Sequence, residues 1–178
     1  MTEVPRLAPT TEEDWDDDTR ALLDALGRMN IFTTLAHHPK LLKRWLVFGG
    51  HILAKSTLEA RVRELLILRA GWRCGSEYEF GQHTIIGRGT GLTTEEITRL
   101  ATEGLHGWGP TDAVLVQAVD ELVADHAVSD ETYAELSSTW DDQQLIDLVF
   151  TVGQYVLVSM ALNTFRVERD DGVPGWPT

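Results

Sequence analysis

An imidazole and a carboxylate stand four residues apart at His83 and Glu79, and a second acid, Glu64, lies upstream. On a helix, residues four apart share a face and their side chains can meet. Imidazole titrates near neutral pH and a neighbouring carboxylate can fix its tautomer, so the pair is equipped for proton transfer. The helical neighbours of His83 are Glu79, Phe80, Ile86 and Gly87, which sets the ring at the border between an apolar strip and an acid. The plainer use of such a residue is a core histidine satisfied by Glu79. Glu64 sits among Ala60, Arg61, Ile67 and Leu68. A carboxylate on an apolar stripe either finds a base or carries a raised pKa, because desolvation penalises its charge. Its structural partner would be Arg61 or a residue from another helix.

Other chemistries find little support. The spacing of Glu79 and His83 could supply two metal ligands, but a mononuclear site needs at least one more and no second histidine lies close by, so no metal is expected. His37, His38, His51, His106 and His126 show no partner pattern. With Cys74 as the single cysteine, one chain cannot build a disulfide, a Cys-x-x-Cys redox pair or a thiolate cluster. There is no glycine-rich phosphate loop after a strand and no nucleophile elbow.

The elements that must position these groups read as helices throughout. Thr10 or Thr11 and the acids of 12–18 open a capped helix that runs through Leu22, Leu23 and Leu26 to Gly27. Pro39 opens a second, with Gly49 and Gly50 as its weak point. A third starts at 57–60 and continues to Trp72. Ser76 is placed to cap the helix that carries His83, with Glu79 as the matching capping-box acid, and that helix runs towards Gly87 and Gly91. Thr93 and Glu96 repeat the same signature ahead of a short helix that stops at Gly104. Gly107 to Pro110 is a turn, 112–127 is amphipathic, and Ser129 begins another short helix.

The run 145–162 is apolar on almost every side and close to membrane-spanning length. Asp147, Gly153, Gln154 and Ser159 interrupt it, so it is expected to lie buried in a core or between subunits. The stretch 170–178, with Pro174, Gly175 and Pro177, is expected to be extended and to lie across a neighbour.

No low-complexity linker divides the 178 residues, which suffice for one domain with a real core. The chain therefore reads as a single all-α domain over 1–178, with a helical extension over 10–56 and an extended tail from 166. Hydrophobic residues at 43% and charged residues at 24% are the balance of an ordinary soluble protein. A net charge of −13 argues against nucleic acid or an anionic membrane as partner, since both require a basic footprint. The acids of 12–18 suit a solvated first turn, where the helix dipole favours negative charge. Residues 1–8 lack the apolar core of a signal peptide, so cytoplasmic residence is the expectation.

The run Arg61-Val62-Arg63-Glu64-Leu65-Leu66-Ile67-Leu68-Arg69, followed by Ser76-Glu77-Tyr78-Glu79 and His83, resembles the carboxymuconolactone decarboxylase family, which includes the AhpD alkylhydroperoxidases. Residues 91–97 match the segment that follows in that family. Residues 142–163, around Gly153-Gln154-Tyr155, resemble the later helix of its longer members. The resemblance is strongest over 58–100 and extends over 41–167. The peroxidase branch carries Glu-x11-Cys-x2-Cys-x3-His, whereas this chain reads Glu64-x11-Ser76-x2-Glu79-x3-His83. Both cysteines are replaced, and Cys74 lies two residues before the first of them. Dithiol peroxide reduction has no pair to run on, and the chain sides with the decarboxylase branch. That resemblance implies an AhpD-like helical bundle, cofactor-free chemistry and a homo-oligomer, a trimer or hexamer.

The activity expected from this reading is that of a cofactor-independent lyase. Its simplest form is a decarboxylase of a small carboxylated lactone or related oxo-acid, as in aromatic-compound catabolism. Loss of CO2 into a conjugated carbonyl would be followed by protonation of the dienolate. A protonated His83 would bind the oxyanion or deliver the proton, Glu79 would fix the imidazole, and Glu64 would relay a proton. Arg61, Arg63, Arg69 or Arg73 would bind the substrate carboxylate, with Ser76 beside it. The alternatives are an isomerase or dehydratase on the same scaffold, or a silent oligomer that only binds a ligand. A thiol peroxidase would rest on Cys74 alone.

Overall fold

Helix-forming runs separated by capping residues and glycines give nine α-helices and no strand among the described residues, 4–177, of the computed structural model. A 3-10 turn, Glu12–Asp14, precedes α1 (Asp17–Ala25), α2 (Asn30–Leu35), α3 (Pro39–Ala54) and α4 (Ala60–Arg73). Then follow α5 (Glu77–Gly89), α6 (Thr94–Leu100), α7 (Pro110–Asp125), α8 (Asp130–Ser137) and α9 (Asp142–Phe165). The all-α expectation holds, and several boundaries move for local reasons.

The expected first helix is split. Asp14 accepts from the Thr11 N–H and closes one 3-10 turn, Trp15 is extended, and Asp16 starts α1 by accepting from the Thr19 N–H. A row of acids holds two competing caps, and both are used. The six-residue α2 is too short to show a period and was not expected. Gly49 and Gly50 leave α3 unbroken. Thr93 with Glu96 and Asp141 with Gln144 form reciprocal capping boxes at α6 and α9. At α5 the expected box is absent: Ser76 holds the cap position, but its hydroxyl has no partner, its N–H donates to the Gly71 carbonyl, and the Glu79 side chain turns to His83.

The enclosed centre of the fold is α4, not α9. Every residue from Glu64 to Gly71 is buried, and α5, α7 and α9 pack around them. Within that run Arg69 is wholly buried. Its Nε and Nη2 donate to the two oxygens of Asp120 at 2.6 Å each, and Nη1 donates to the carbonyls of Leu100 and Thr102. The cation thus ties α4 to α7 and to the end of α6.

Of the burial expected of 145–162, in a core or between subunits, this chain itself supplies one side. Helix α9 lays Leu148, Val152 and Tyr155 into the core, but Ile146, Val149, Phe150, Leu157 and Met160 face outward from this chain. By length and composition alone α9 could cross a membrane, yet half of its most apolar stretch is buried inside the fold. On the buried side Asp147 accepts from the Thr57 N–H at 2.6 Å, pinning the approach to α4.

After α9 the chain turns back and lies over its own α5. Asp170 accepts from the Asn30 N–H (2.8 Å), the Tyr78 hydroxyl (2.5 Å) and the Gln82 amide (2.7 Å). Trp176 packs on Phe80, ring centres 5.1 Å apart. The tail can lie this close because residue 81 is glycine: a Cβ there would collide with the Pro174 carbonyl and stand 2.8 Å from a Val173 methyl. Gly81→Ala is therefore expected to lower stability by about 1–3 kcal/mol and to leave Trp176 open to an aqueous quencher. A melting temperature equal to wild type would show that the tail does not depend on this approach.

Candidate active site

Three helices bring the site together. Helix α4 offers Glu64 towards α5, α5 carries Glu79 and His83 one turn apart, and α9 passes alongside with Gln154 and Tyr155. One turn beyond His83, Gly87 keeps α4 and α5 close: a Cβ there would meet Leu68 and Leu92 at 3.2 and 3.1 Å. That closeness lets Glu64 reach the ring from a helix 19 residues earlier.

His83 Nδ1–H donates to Glu64 Oε2 at 2.6 Å, and Nε2–H faces Glu79 Oε1 at 3.1 Å. The other oxygen of Glu64 accepts from Arg63 Nε at 3.2 Å. Two bases and two acids thus alternate in one line, Arg63, Glu64, His83, Glu79. Glu64 has no exposure, and Glu79 and His83 have 5% each. Burial opposes a charge on the imidazole, but hydrogen bonds to the two carboxylates outweigh it and push His83 up to about 9. At neutral pH the ring is an imidazolium, with both N–H groups committed to carboxylates. Tyr155 stands edge-on to it, centres 4.9 Å apart.

The line ends at a cavity of about 380 Å³. Trp45, Phe32, Ile86 and Val158 give it apolar walls, and Glu79, His83, Gln82, Tyr78, Gln154 and Tyr155 supply its polar groups. No arginine or lysine is among its lining residues.

The structure gathers His83, Glu79, Glu64 and Arg63, and disperses the remaining candidates. Arg61 binds Asp112 at 2.8 and 3.0 Å and Glu96 at 2.5 Å, so it is not the partner of Glu64. Arg69 is enclosed with Asp120, and Arg73 reaches Glu103 at 3.1 Å. Ser76 is buried and lines no part of this cavity. Burial pushes the Cys74 thiol up, against an activated thiolate. Among the described residues no three His, Cys, Asp or Glu side chains are grouped to hold a metal. Gln154 and Tyr155 were not foreseen as site residues. Their signal was the polar break in the apolar run at 153–155.

Residues 39–119, from the start of α3 into α7, match the model of the carboxymuconolactone decarboxylase family. Over this stretch the chain is similar to the carboxymuconolactone decarboxylase family. The matched stretch contains Glu64, Glu79 and His83, whereas the family segment ends before Gln154 and Tyr155. Solved structures extend the likeness in fold to nearly the whole chain. An uncharacterized peroxidase-related protein from Ralstonia eutropha JMP134, with an alkylhydroperoxidase AhpD core, is 18% identical. It superposes with a TM-score of 0.84 over 96% of this chain and 95% of that one. An uncharacterized peroxidase-related protein from Silicibacter sp. TM1040 is 12% identical, with a TM-score of 0.82 over 97% of each chain. The debrominase Bmp8, as a variant in complex with 2,3,4-tribromopyrrole, is 12% identical with a TM-score of 0.76 over 96% of this chain and 95% of that one. At these identities the likeness is one of fold. No curated protein matches the chain in sequence.

Proposed function

We propose that this chain is a cofactor-independent acid–base enzyme that moves a proton at carbon in a small, uncharged substrate, as an isomerase or lyase. The observation that carries the reading is the buried line Arg63–Glu64–His83–Glu79, which opens on an apolar cavity without a lysine or arginine. The roles expected of the two acids exchange. Glu64, fully buried and 2.6 Å from Nδ1, is the group that orients the imidazolium. Glu79, on the longer contact, faces the cavity and is placed to take a proton from a carbon beside a carbonyl. The imidazolium balances the carboxylate before transfer, and the chain behind it holds the ring in place.

Decarboxylation of a carboxylated lactone or oxo-acid is the second reading, favoured by the family match. It would bring a substrate carboxylate beside Glu79 with His83 as the sole cation lining the cavity. The bound ring in the Bmp8 complex, 2,3,4-tribromopyrrole, carries no carboxylate, which lends support to an uncharged, ring-sized substrate. A homo-oligomer in the cytoplasm belongs to the same proposal. Copies would cover the outward apolar residues of α3 (Leu41, Val47, Leu53) and of α9 (Ile146, Phe150, Leu157, Met160).

The test is incubation in deuterated buffer with neutral cyclic ketones and lactones beside their carboxylated counterparts. Wild-type protein is expected to exchange the α-proton of a neutral ring, and Glu79→Gln to lose about 10²–10⁴-fold of that rate. Release of CO2 from a carboxylactone, with no exchange in any neutral ring, would make the chain a decarboxylase. Equal exchange by Glu79→Gln and wild type would remove Glu79 from the chemistry.

A further inference from the structure

Two polar side chains of the cavity remain when the Arg63–Glu79 line is accounted for. Gln154 and Tyr155 are consecutive on α9, 4% and 5% exposed, and both line the cavity. Neither end of the Gln154 amide hydrogen-bonds to the protein, and its Oε1 is wholly buried. The amide lies against Gly49 of α3, where a Cβ would come within 3.5 Å of Nε2. The Tyr155 hydroxyl also has no protein partner. Burial first, and then the Glu79 and Glu64 carboxylates, keep that phenol protonated, so it is a donor.

A buried amide without a partner is destabilising, and native proteins keep few such groups without a use for them. Leucine or methionine would fill the position without that penalty. The hydroxyl of Thr151 on the same helix is also unpartnered, but that residue does not line the cavity. At 154 and 155 the uncommitted groups line one cavity, Tyr155 edge-on to the imidazolium, in a space at the small end of ligand-site volumes.

We propose that Gln154 and Tyr155 are the substrate-recognition residues of this site, and that they select a neutral ring compound bearing a carbonyl with an adjacent N–H or O–H. The Gln154 amide presents an acceptor and a donor together, which pair reciprocally with a carboxamide, a lactam or a hydroxy-carbonyl. The Tyr155 hydroxyl adds a donor for the carbonyl oxygen. An anion would meet Glu79 with no arginine or lysine in the lining, and a cation would meet the imidazolium. This inference takes the use of the site from the acid–base reading above, but its test requires no proton transfer.

Benzamide and benzoate share a shape and differ in charge, so calorimetric titration of the intact protein with each at pH 7 is the experiment. Benzamide is expected to bind saturably and at least tenfold more tightly than benzoate. Gln154→Leu and Gln154→Met are each expected to weaken benzamide roughly tenfold, and Tyr155→Phe roughly threefold, the size of one or two lost hydrogen bonds. Both Gln154 variants should melt at or above the wild-type temperature, since the amide has no protein partner to lose. Benzamide affinity unchanged in both Gln154 variants, benzoate binding as tightly as benzamide, or no saturable benzamide binding to wild type would each overturn the proposal. Gln154-dependent binding in a protein that exchanges no substrate proton would sink the acid–base reading and leave this one standing. Exchange activity with binding indifferent to Gln154 would do the reverse.

Discussion

Replacing His83 by alanine is expected to lower turnover about 10²–10⁴-fold, the usual contribution of a positioned acid–base group, and to flatten the alkaline side of the stability profile. Folding raises the proton affinity of this imidazole from its ordinary 6.5 to about 9, because its two carboxylate partners outweigh burial. The folded state therefore holds the proton more tightly than the unfolded chain. That stabilisation is fully present below pH 6.5 and is lost as the pH rises through about 9. Thermal melts of the wild type from pH 6 to 10 should fall across this window, and His83→Ala should lack the decline. The variant should also be less stable at pH 7, since it leaves the unexposed Glu64 with Arg63 alone. Adding Glu64→Gln to it should cost far less than the product of the two single losses, as coupled groups are non-additive. A soluble His83→Ala protein that turns over substrate at the wild-type rate would remove the site.

The largest loss of stability is expected away from the site, at Asp120. Arg69 has no exposure and gives two hydrogen bonds to that carboxylate. Asp120→Ala leaves a buried guanidinium with only the Leu100 and Thr102 carbonyls, and removing one partner of such a pair costs about 3–5 kcal/mol. Arg69→Met should cost less than Asp120→Ala. It removes the buried charge itself and leaves an aspartate that is one-quarter exposed to water. Urea unfolding of the two variants measures the order, and a milder effect for Asp120→Ala would show that α4 and α7 are held by apolar packing instead.

How far the sequence led depended on how local each feature is. Glu79 and His83 are one helical turn apart, so their pairing was legible. Glu64 was legible as a carboxylate needing a base, but its partner lies on the next helix, and the geometry between two helices is not written in either of them. The same gap is why the roles proposed for the two acids differ from those the sequence suggested. Arg61, Arg69 and Arg73 looked available because their carboxylate partners, Asp112, Glu96, Asp120 and Glu103, lie 30 or more residues away. The capping pair was reliable at Thr93 and failed at Ser76, where His83, one turn along the same helix, claimed Glu79. The apolar circumference of α9 promised burial on all sides. Packing chose α4 for the centre instead, since its neighbours on three sides are all within this chain. The Gln154–Tyr155 pair was visible only as a break in an apolar run, because an unpartnered group is recognised by what surrounds it.

The Asp170 knot has a consequence for how the chain folds. Helices are local and form within about a microsecond, and all-helical proteins with short-range contacts are correspondingly fast folders. Asp170, however, joins Asn30 across 140 residues and Tyr78 across 92, and Tyr78 and Gln82 are two of the groups that shape the cavity. Closing loops of that length costs entropy before any bond rewards it. Helix content should therefore rise early in refolding and the finished cavity should lag behind it, so that a chain with native circular dichroism passes through an interval in which it is helical and still without its cavity.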